Sequence, residues 1–301
     1  MGRILVAPVS FGVGDLVVSL PVIQALIGAD GHRDDGTWLV ARSSSQHRLA
    51  PRIAGLAGSI DEGSEDHPDA DTFVDLRDHP LQRDFWWGSA AFEQTFGPMG
   101  INEILGRMCA DFEIPADFSR PAPLDSRPRP ELSEVVLFVV ESDGRDKLWP
   151  ADRWSAVAAE LRDSGIAVMQ ITRSGCAPPM SSTGIPELPV PTLGEAVDVL
   201  TSCRGVIGVD TGLTHIAAQQ GTPTVLVCRP ASVYFRPWDH CRVVRGTPCT
   251  QECARLEAAY AYNDRVSLRD FRPAARDCPS GTPCMSAASA EEATALLREV
   301  L

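Results

Sequence analysis

The chain has 301 residues, 44% of them apolar, and a formal net charge of −13 at neutral pH. That length accommodates two α/β domains, each with its own core, and the acidity argues against a nucleic-acid partner, whose phosphates need a basic face. No apolar run approaches the roughly 20 residues of a membrane span, and the opening "MGRILVAPVSFGVGD" runs into a strand without the features of a signal peptide, so a soluble cytoplasmic protein is expected.

In chain order, "RILVAPV" predicts a strand, "FGVGD" a glycine turn and "LVVSLPVIQALIGAD" a helix. "TWLVAR" and "TFVDLR" predict two further strands, followed by the aromatic stretch "DFWWGSAAFEQTFGPMG" and a helix near "INEILGRMCADFEI". "PADFSRPAPLDSRPRPELSE" is rich in proline and charge and has no period. It reads as a linker that divides residues 1–128 from residues 129–301. Beyond it the alternation restarts: strand "VVLFVV", helix "PADRWSAVAAELRDSG", strand "IAVMQIT" and helix "LGEAVDVLTSC". Strand "GVIGV", a short helix through Ile216–Ala218 and strand "PTVLV" follow, and "SAEEATALLREVL" is a last amphipathic helix. Strands alternating with helices predict parallel sheets built of βαβ units.

Three stretches carry candidate chemistry. In "FGVGD" the glycines after the first strand let backbone approach a ligand, and Asp15 heads the helix; it is read either as a helix cap or as a functional acid. In "ESDGRDKLWPADRW" Lys147 is the only lysine among 27 basic residues. An ammonium is a compact point charge suited to a phosphate oxygen, and this one precedes a proline that starts a helix, where an anion would dock. In "GVDTGLTH" Asp210 and Thr211 can bond a ligand, Gly212 and Leu213 present N–H groups at a helix start, and His215 follows one turn in. Two anion-competent strand ends in one half of the chain point to a diphosphate.

Together, "GDLVVSLPVIQAL", "DKLWPADRW" and "GVDTGLTHIAAQQGTPTVLV" resemble the heptosyltransferase-like glycosyltransferases of family 9, in the order and spacing of that family. The resemblance implies the GT-B fold, two Rossmann-like domains facing across a cleft. The first would hold an acceptor and the second a nucleotide-activated sugar, commonly ADP-heptose. It places the catalytic base at Asp15 and the donor-phosphate contacts at Ser142, Lys147, Asp210, Thr211, Gly212, Leu213 and His215. Gly14, Arg77 and Trp86 are expected on the acceptor side, Arg77 as a cation that ends the strand "TFVDL" at the cleft and can pair with acidic acceptor groups, and neither a cofactor nor a catalytic metal is expected. Many relatives carry a glycine-rich turn and a ribose-binding glutamate after the strand "IAVMQIT"; here that turn reads "RSGCAPPM", with no acid.

Phe85, Trp86, Trp87, Phe92 and Phe96 are read either as core or as a stacking surface for the acceptor. Cys249, Cys253, Cys278 and Cys284 resemble a cysteine cluster of many family members, and form either a structural zinc site or reduced thiols or a disulfide. The expected activity is metal-independent, inverting sugar transfer from a nucleotide diphosphate to an acceptor hydroxyl, in lipopolysaccharide core or natural-product biosynthesis. The alternatives are a nucleotide-sugar epimerase of the same architecture and a catalytically silent sugar-nucleotide-binding protein.

Overall fold

The computed structural model describes residues 3–30, 36–64, 69–85, 87–88, 90–142, 147–173, 184–230, 232–247 and 283–301. Its first sheet is parallel, in the order β3-β2-β1-β4, from β1 (Ile4–Ala7), β2 (Thr37–Ala41), β3 (Gly58–Asp61) and β4 (Thr72–Asp75). The predicted strands formed as read, and β3 was added to them. "GSID" has one apolar residue, so no pattern announces it. Pairing with β2 makes it a strand, at a spot where only glycine fits: a Cβ on Gly58 would lie 2.6 Å from the Trp38 ring.

α1 (Val13–Asp30) connects β1 to β2, and α2 (Ser44–Leu49) connects β2 to β3. α1 begins a turn earlier than the apolar run suggests, because the Gly12 carbonyl accepts the Leu16 N–H at 3.2 Å. β4 lies on the far side of β1, so the strand order reverses between β1 and β4. α3 (Pro80–Arg83), α4 (Ala90–Phe96) and α5 (Ile101–Asp111) complete this half.

Residues 115–129 of the proline-rich linker form no helix or strand, and the other elements hold the segment by its backbone. The Leu124 N–H donates to Gln220 Oε1 (2.6 Å), the Arg127 N–H to Asp198 Oδ1 (2.8 Å) and the Arg129 N–H to Ser202 Oγ (2.9 Å). A segment without a ladder of its own thus finds side-chain acceptors.

The second sheet is also parallel, in the order β10-β9-β8-β5-β6-β7. Its strands are β5 (Val135–Val139), β6 (Ala167–Arg173), β7 (Glu187–Val190), β8 (Gly205–Val209), β9 (Thr224–Cys228) and β10 (Cys241–Arg245). β5, β8 and β9 are buried at every position, as continuous apolar runs in the middle of a parallel sheet must be. α6 (Ala151–Asp163), α7 (Leu193–Ser202), α8 (Gly212–Gln219), α9 (Pro283–Ala287) and α10 (Ala290–Val300) pack around it. The order reverses between β5 and β8, so the crevice at their C-terminal ends is this sheet's switch point, where open α/β sheets take their ligands.

One apolar core joins the halves: Leu16, Leu20 and Ile104 cluster with Leu137, Val197 and Ile216. A second core lies under α10 and holds Phe138, Trp149, Trp154 and Leu297. Among the described residues no helix is long and apolar enough to cross a membrane.

Candidate active site

The loop after β1 is fixed before α1 begins. Its carbonyls are taken by side chains: Val9 by Gln82 Nε2 (2.7 Å), Ser10 and Gly12 by Gln46 Nε2 (2.7 and 3.0 Å), and Phe11 by Ser43 Oγ (2.7 Å). Asp15 then stands in the first turn of α1, and its Oδ2 accepts the Gly12 N–H at 2.8 Å. That bond is a helix cap, the acid reaching back to the residue that starts the helix. It uses one oxygen; no other hydrogen bond to this carboxylate is found among the described residues. Burial raises the Asp15 pKa, against the Gly12 N–H, Lys147 and His215, which lower it; Asp210 adds to the rise.

In the turn between β8 and α8, Asp210 is nearly buried and its oxygens are occupied. Oδ1 meets His215 Nε2 at 2.9 Å, and Oδ2 meets Lys147 Nζ at 3.3 Å and accepts from Ser232 Oγ at 3.1 Å. The Asp210 carbonyl accepts from Lys147 Nζ as well (3.1 Å). Burial opposes ionisation here, but Lys147 and His215 outweigh it and hold the carboxyl well below the usual carboxylate range. With both carboxylate oxygens bonded inside the protein, Asp210 orients Lys147 and His215, a role the sequence reading of Asp210 as a ligand contact did not include. Thr211 caps α8: its carbonyl accepts the N–H groups of Thr214 (3.1 Å) and His215 (3.2 Å), while its hydroxyl makes no capping bond. The N–H groups of Gly212 and Leu213 belong to the first turn, ahead of the helix ladder, and point toward any anion at this end.

Lys147 and Ser142 both lie on the segment that follows β5, and both are partly buried. The Lys147 side chain is 27% exposed, so its ammonium keeps a donor for a further acceptor beyond Asp210.

Two glycines bring the halves of the site together. A Cβ on Gly212 would lie 2.9 Å from Val13 Cβ and 3.0 Å from the Gly14 nitrogen, and one on Gly14 would lie 3.3 Å from His215 Cδ2. The N-termini of α1 and α8, one from each sheet, therefore touch. Their dipoles add positive potential where Lys147 and His215 already sit, and Asp15 projects into that field.

Other expected site residues are placed differently. The Arg77 guanidinium is bonded to Asp75 Oδ1 (2.8 Å), to Asp75 Oδ2 (2.7 Å) and to Glu62, so it does not stand open to an acidic acceptor. Asp75 pairs in register with Ala7, on the sheet face turned away from α1, and Arg77 follows it there. Trp86 lies outside the described residues. Of its neighbours, Trp87 and Phe92 are buried, the Trp87 indole donating to the Leu81 carbonyl at 2.8 Å, and Phe85 and Phe96 pack on Phe92. These side chains are core. Cys249, Cys253 and Cys278 also lie outside the described residues, and Cys284 is buried.

Sequence reading missed Ser232, Gln46 and Gln82. Single polar residues between apolar runs carry no signal of their own; burial with a backbone or carboxylate partner is what marks them.

Residues 113–260 match the model of glycosyltransferase family 9 (heptosyltransferase), which includes Lys147 and Asp210 and leaves Asp15 outside. Lipopolysaccharide heptosyltransferase 1 of Escherichia coli strain K12 is 28% identical over 129 residues, 40% of this chain and 38% of that protein. The match thus spans well under half the length of the curated relatives. The solved glycosyl transferase family 9 structure from Veillonella parvula DSM 2008 has a TM-score of 0.67 at 14% identity, covering 99% of this chain and 97% of that one. E. coli heptosyltransferase WaaC with ADP has a TM-score of 0.64 at 14% identity, covering 99% and 100%. The fold is α/β with two parallel sheets, the GT-B architecture.

Proposed function

We propose that this chain, a heptosyltransferase-like member of glycosyltransferase family 9, moves a sugar from a nucleotide diphosphate to an acceptor hydroxyl, with inversion and without a metal ion. The observation that carries this reading is the meeting of α1 and α8, which sets Asp15 of one half against Lys147 and the α8 N-terminus of the other.

The unbonded oxygen of Asp15 takes the proton of the acceptor hydroxyl as that oxygen attacks the anomeric carbon. On the opposite face of the sugar the diphosphate departs. Lys147 and the N–H groups of Gly212 and Leu213 neutralise the charge it gains, in the place a metal ion would fill. Asp210 keeps Lys147 and His215 oriented, and Ser142 and the Thr211 hydroxyl add donors beside the phosphates. We take residues 1–128 as the acceptor domain and residues 129–301 as the donor domain.

An ADP-linked heptose is the proposed donor, because solved structural neighbours include WaaC with ADP-2-deoxy-2-fluoro heptose and TibC in complex with ADP-D-beta-D-heptose. The acceptor is a saccharide or small-molecule hydroxyl, of lipopolysaccharide core or of a natural product. The protein works in the cytoplasm.

Thermal shift with ADP-, GDP-, UDP- and dTDP-sugars tests the donor, since a ligand of the folded state raises its melting temperature. The ADP-sugar gives the largest rise, and EDTA leaves that rise and the turnover unchanged. No response to any nucleotide sugar, or turnover restored only by Mg²⁺ or Mn²⁺, refutes the reading. Conversion of the donor sugar to its epimer without an acceptor would support the epimerase instead.

A further inference from the structure

Arg236 is 3% exposed, and among the described residues no carboxylate pairs with it. Its guanidinium donates to the Val18 carbonyl on α1 and to Asn102 Oδ1 on α5, both in the other half of the chain. It also lies over the rings of Phe118 (5.3 Å) and Trp238 (5.5 Å). Burial draws its pKa down to about 9, so it remains a cation at neutral pH.

The cation sits on a strap. Residues 232–238 leave the second half and run along the first. The Val233 carbonyl accepts the Ile101 N–H at 3.2 Å, the Tyr234 ring packs on Trp87 at 5.5 Å, and the Trp238 indole donates to the Phe118 carbonyl at 3.1 Å. At its start, Ser232 holds Asp210. One short segment thus bonds the donor turn at one end and α1 at the other.

Its grip on α1 falls beside a weak place. Pro21 is inside the helix, where it supplies no N–H and its ring crowds the carbonyl of the turn before. Val18 lies in that turn, three residues after Asp15 and three before Pro21. An apolar side chain would fill the Arg236 site without the cost of desolvating a charge, so stability alone gives no reason for a guanidinium here.

We propose that Arg236 is a positioning residue: it clamps the turn of α1 that carries Asp15 to the strap that holds Asp210, and so sets the base against the donor phosphates. This rests on the reading of Asp15 as base. It differs from that reading in its test, because Arg236 touches neither reacting group.

The experiment compares Arg236→Met and Arg236→Lys with wild type in turnover, donor affinity and amide exchange. Arg236→Met lowers kcat by about 10–100-fold, as a misplacement of about 1 Å does, while donor Kd, set by groups in the second half, stays within about 2-fold. Arg236→Lys recovers only part of the loss, since an ammonium reaches one of the two acceptors and lacks the planar face that lies over the rings. Exchange in residues 16–19 quickens while that in α8 does not. Unchanged kcat with unchanged exchange, or faster exchange across both halves, overturns the proposal. If Arg236→Met does not fold, Asn102→Ala removes one anchor and lowers kcat by about 3–10-fold at constant donor Kd; no change there overturns it too. A wild-type protein that turns over no nucleotide sugar would refute the function, and the α1 exchange would still decide whether Arg236 holds the helix.

Discussion

Gly212 opens α8 so close to Gly14 of α1 that a Cβ on it would lie 3.0 Å from the Gly14 nitrogen. The neighbouring atoms are backbone and a β-branched side chain, which have little room to give. Gly212→Ala is therefore expected to push the two helix ends apart, destabilise the fold by about 1–3 kcal/mol and lower turnover more than its stability loss explains. Denaturant unfolding and kcat on the same sample check both.

Asp15 already caps α1, so the cap and the base must be separated by substitution. Asparagine caps nearly as well, and Asp15→Asn should leave unfolding within about 0.5 kcal/mol. Turnover should fall by roughly 10²–10⁴-fold with donor affinity unchanged. The wild-type pH profile carries the same residue. Because burial raises the Asp15 pKa above its ordinary 3.8, activity is lost on acidification before an ordinary carboxylate would titrate. Near-normal turnover in the asparagine variant would assign Asp15 to capping alone.

Lys147→Ala removes a charge-assisted contact to phosphate, and donor binding should weaken by about 1.5–3 kcal/mol with kcat less affected. Lys147→Arg should recover little, since a planar fork cannot meet Asp210 and a phosphate as a point charge does. Calorimetric titration with the nucleotide sugar decides; equal affinity in the alanine variant rejects the contact.

Asp210→Asn leaves Lys147 and His215 facing each other without their shared carboxylate. Loss of one partner of a buried pair costs about 3 kcal/mol at pH 7. The sign with pH follows from the depressed Asp210 pKa. Ionised Asp210 stabilises the fold above the ordinary carboxylate value of 3.8, and that contribution is lost as pH falls through the lower folded value. Wild type and variant should therefore converge in urea unfolding as the buffer is taken from neutrality into the acid range. A gap independent of pH would mean that the Asp210 charge does not stabilise the fold.

Much of the fold was legible in order of residues. The runs "ILVA", "VVLFV" and "TVLVC" are short, apolar and rich in β-branched residues, as buried strands are, and their alternation with helices predicts parallel sheets. β3, β7 and β10 escaped because each is a short edge strand formed by pairing with a single neighbour.

The site was legible in part. Asp15, Lys147 and the "DTGLTH" turn stand at strand ends, and local sequence says that anions dock at such ends. Which strand ends face one another is a property of strand order and of packing between distant helices. Gly14 and Gly212 carry that information, yet glycine reads alike wherever the chain turns. Arg77 shows the converse. Its place after a strand suggested an open cation, and the register that puts Asp75 beside it on the face away from α1 took the charge out of reach. Local patterning, which depends on neighbours a few residues away, determined the elements and the residues able to bind an anion. Close packing of surfaces far apart in the chain decided which of them became a site, because a carboxylate and an ammonium act on each other only over a few ångströms.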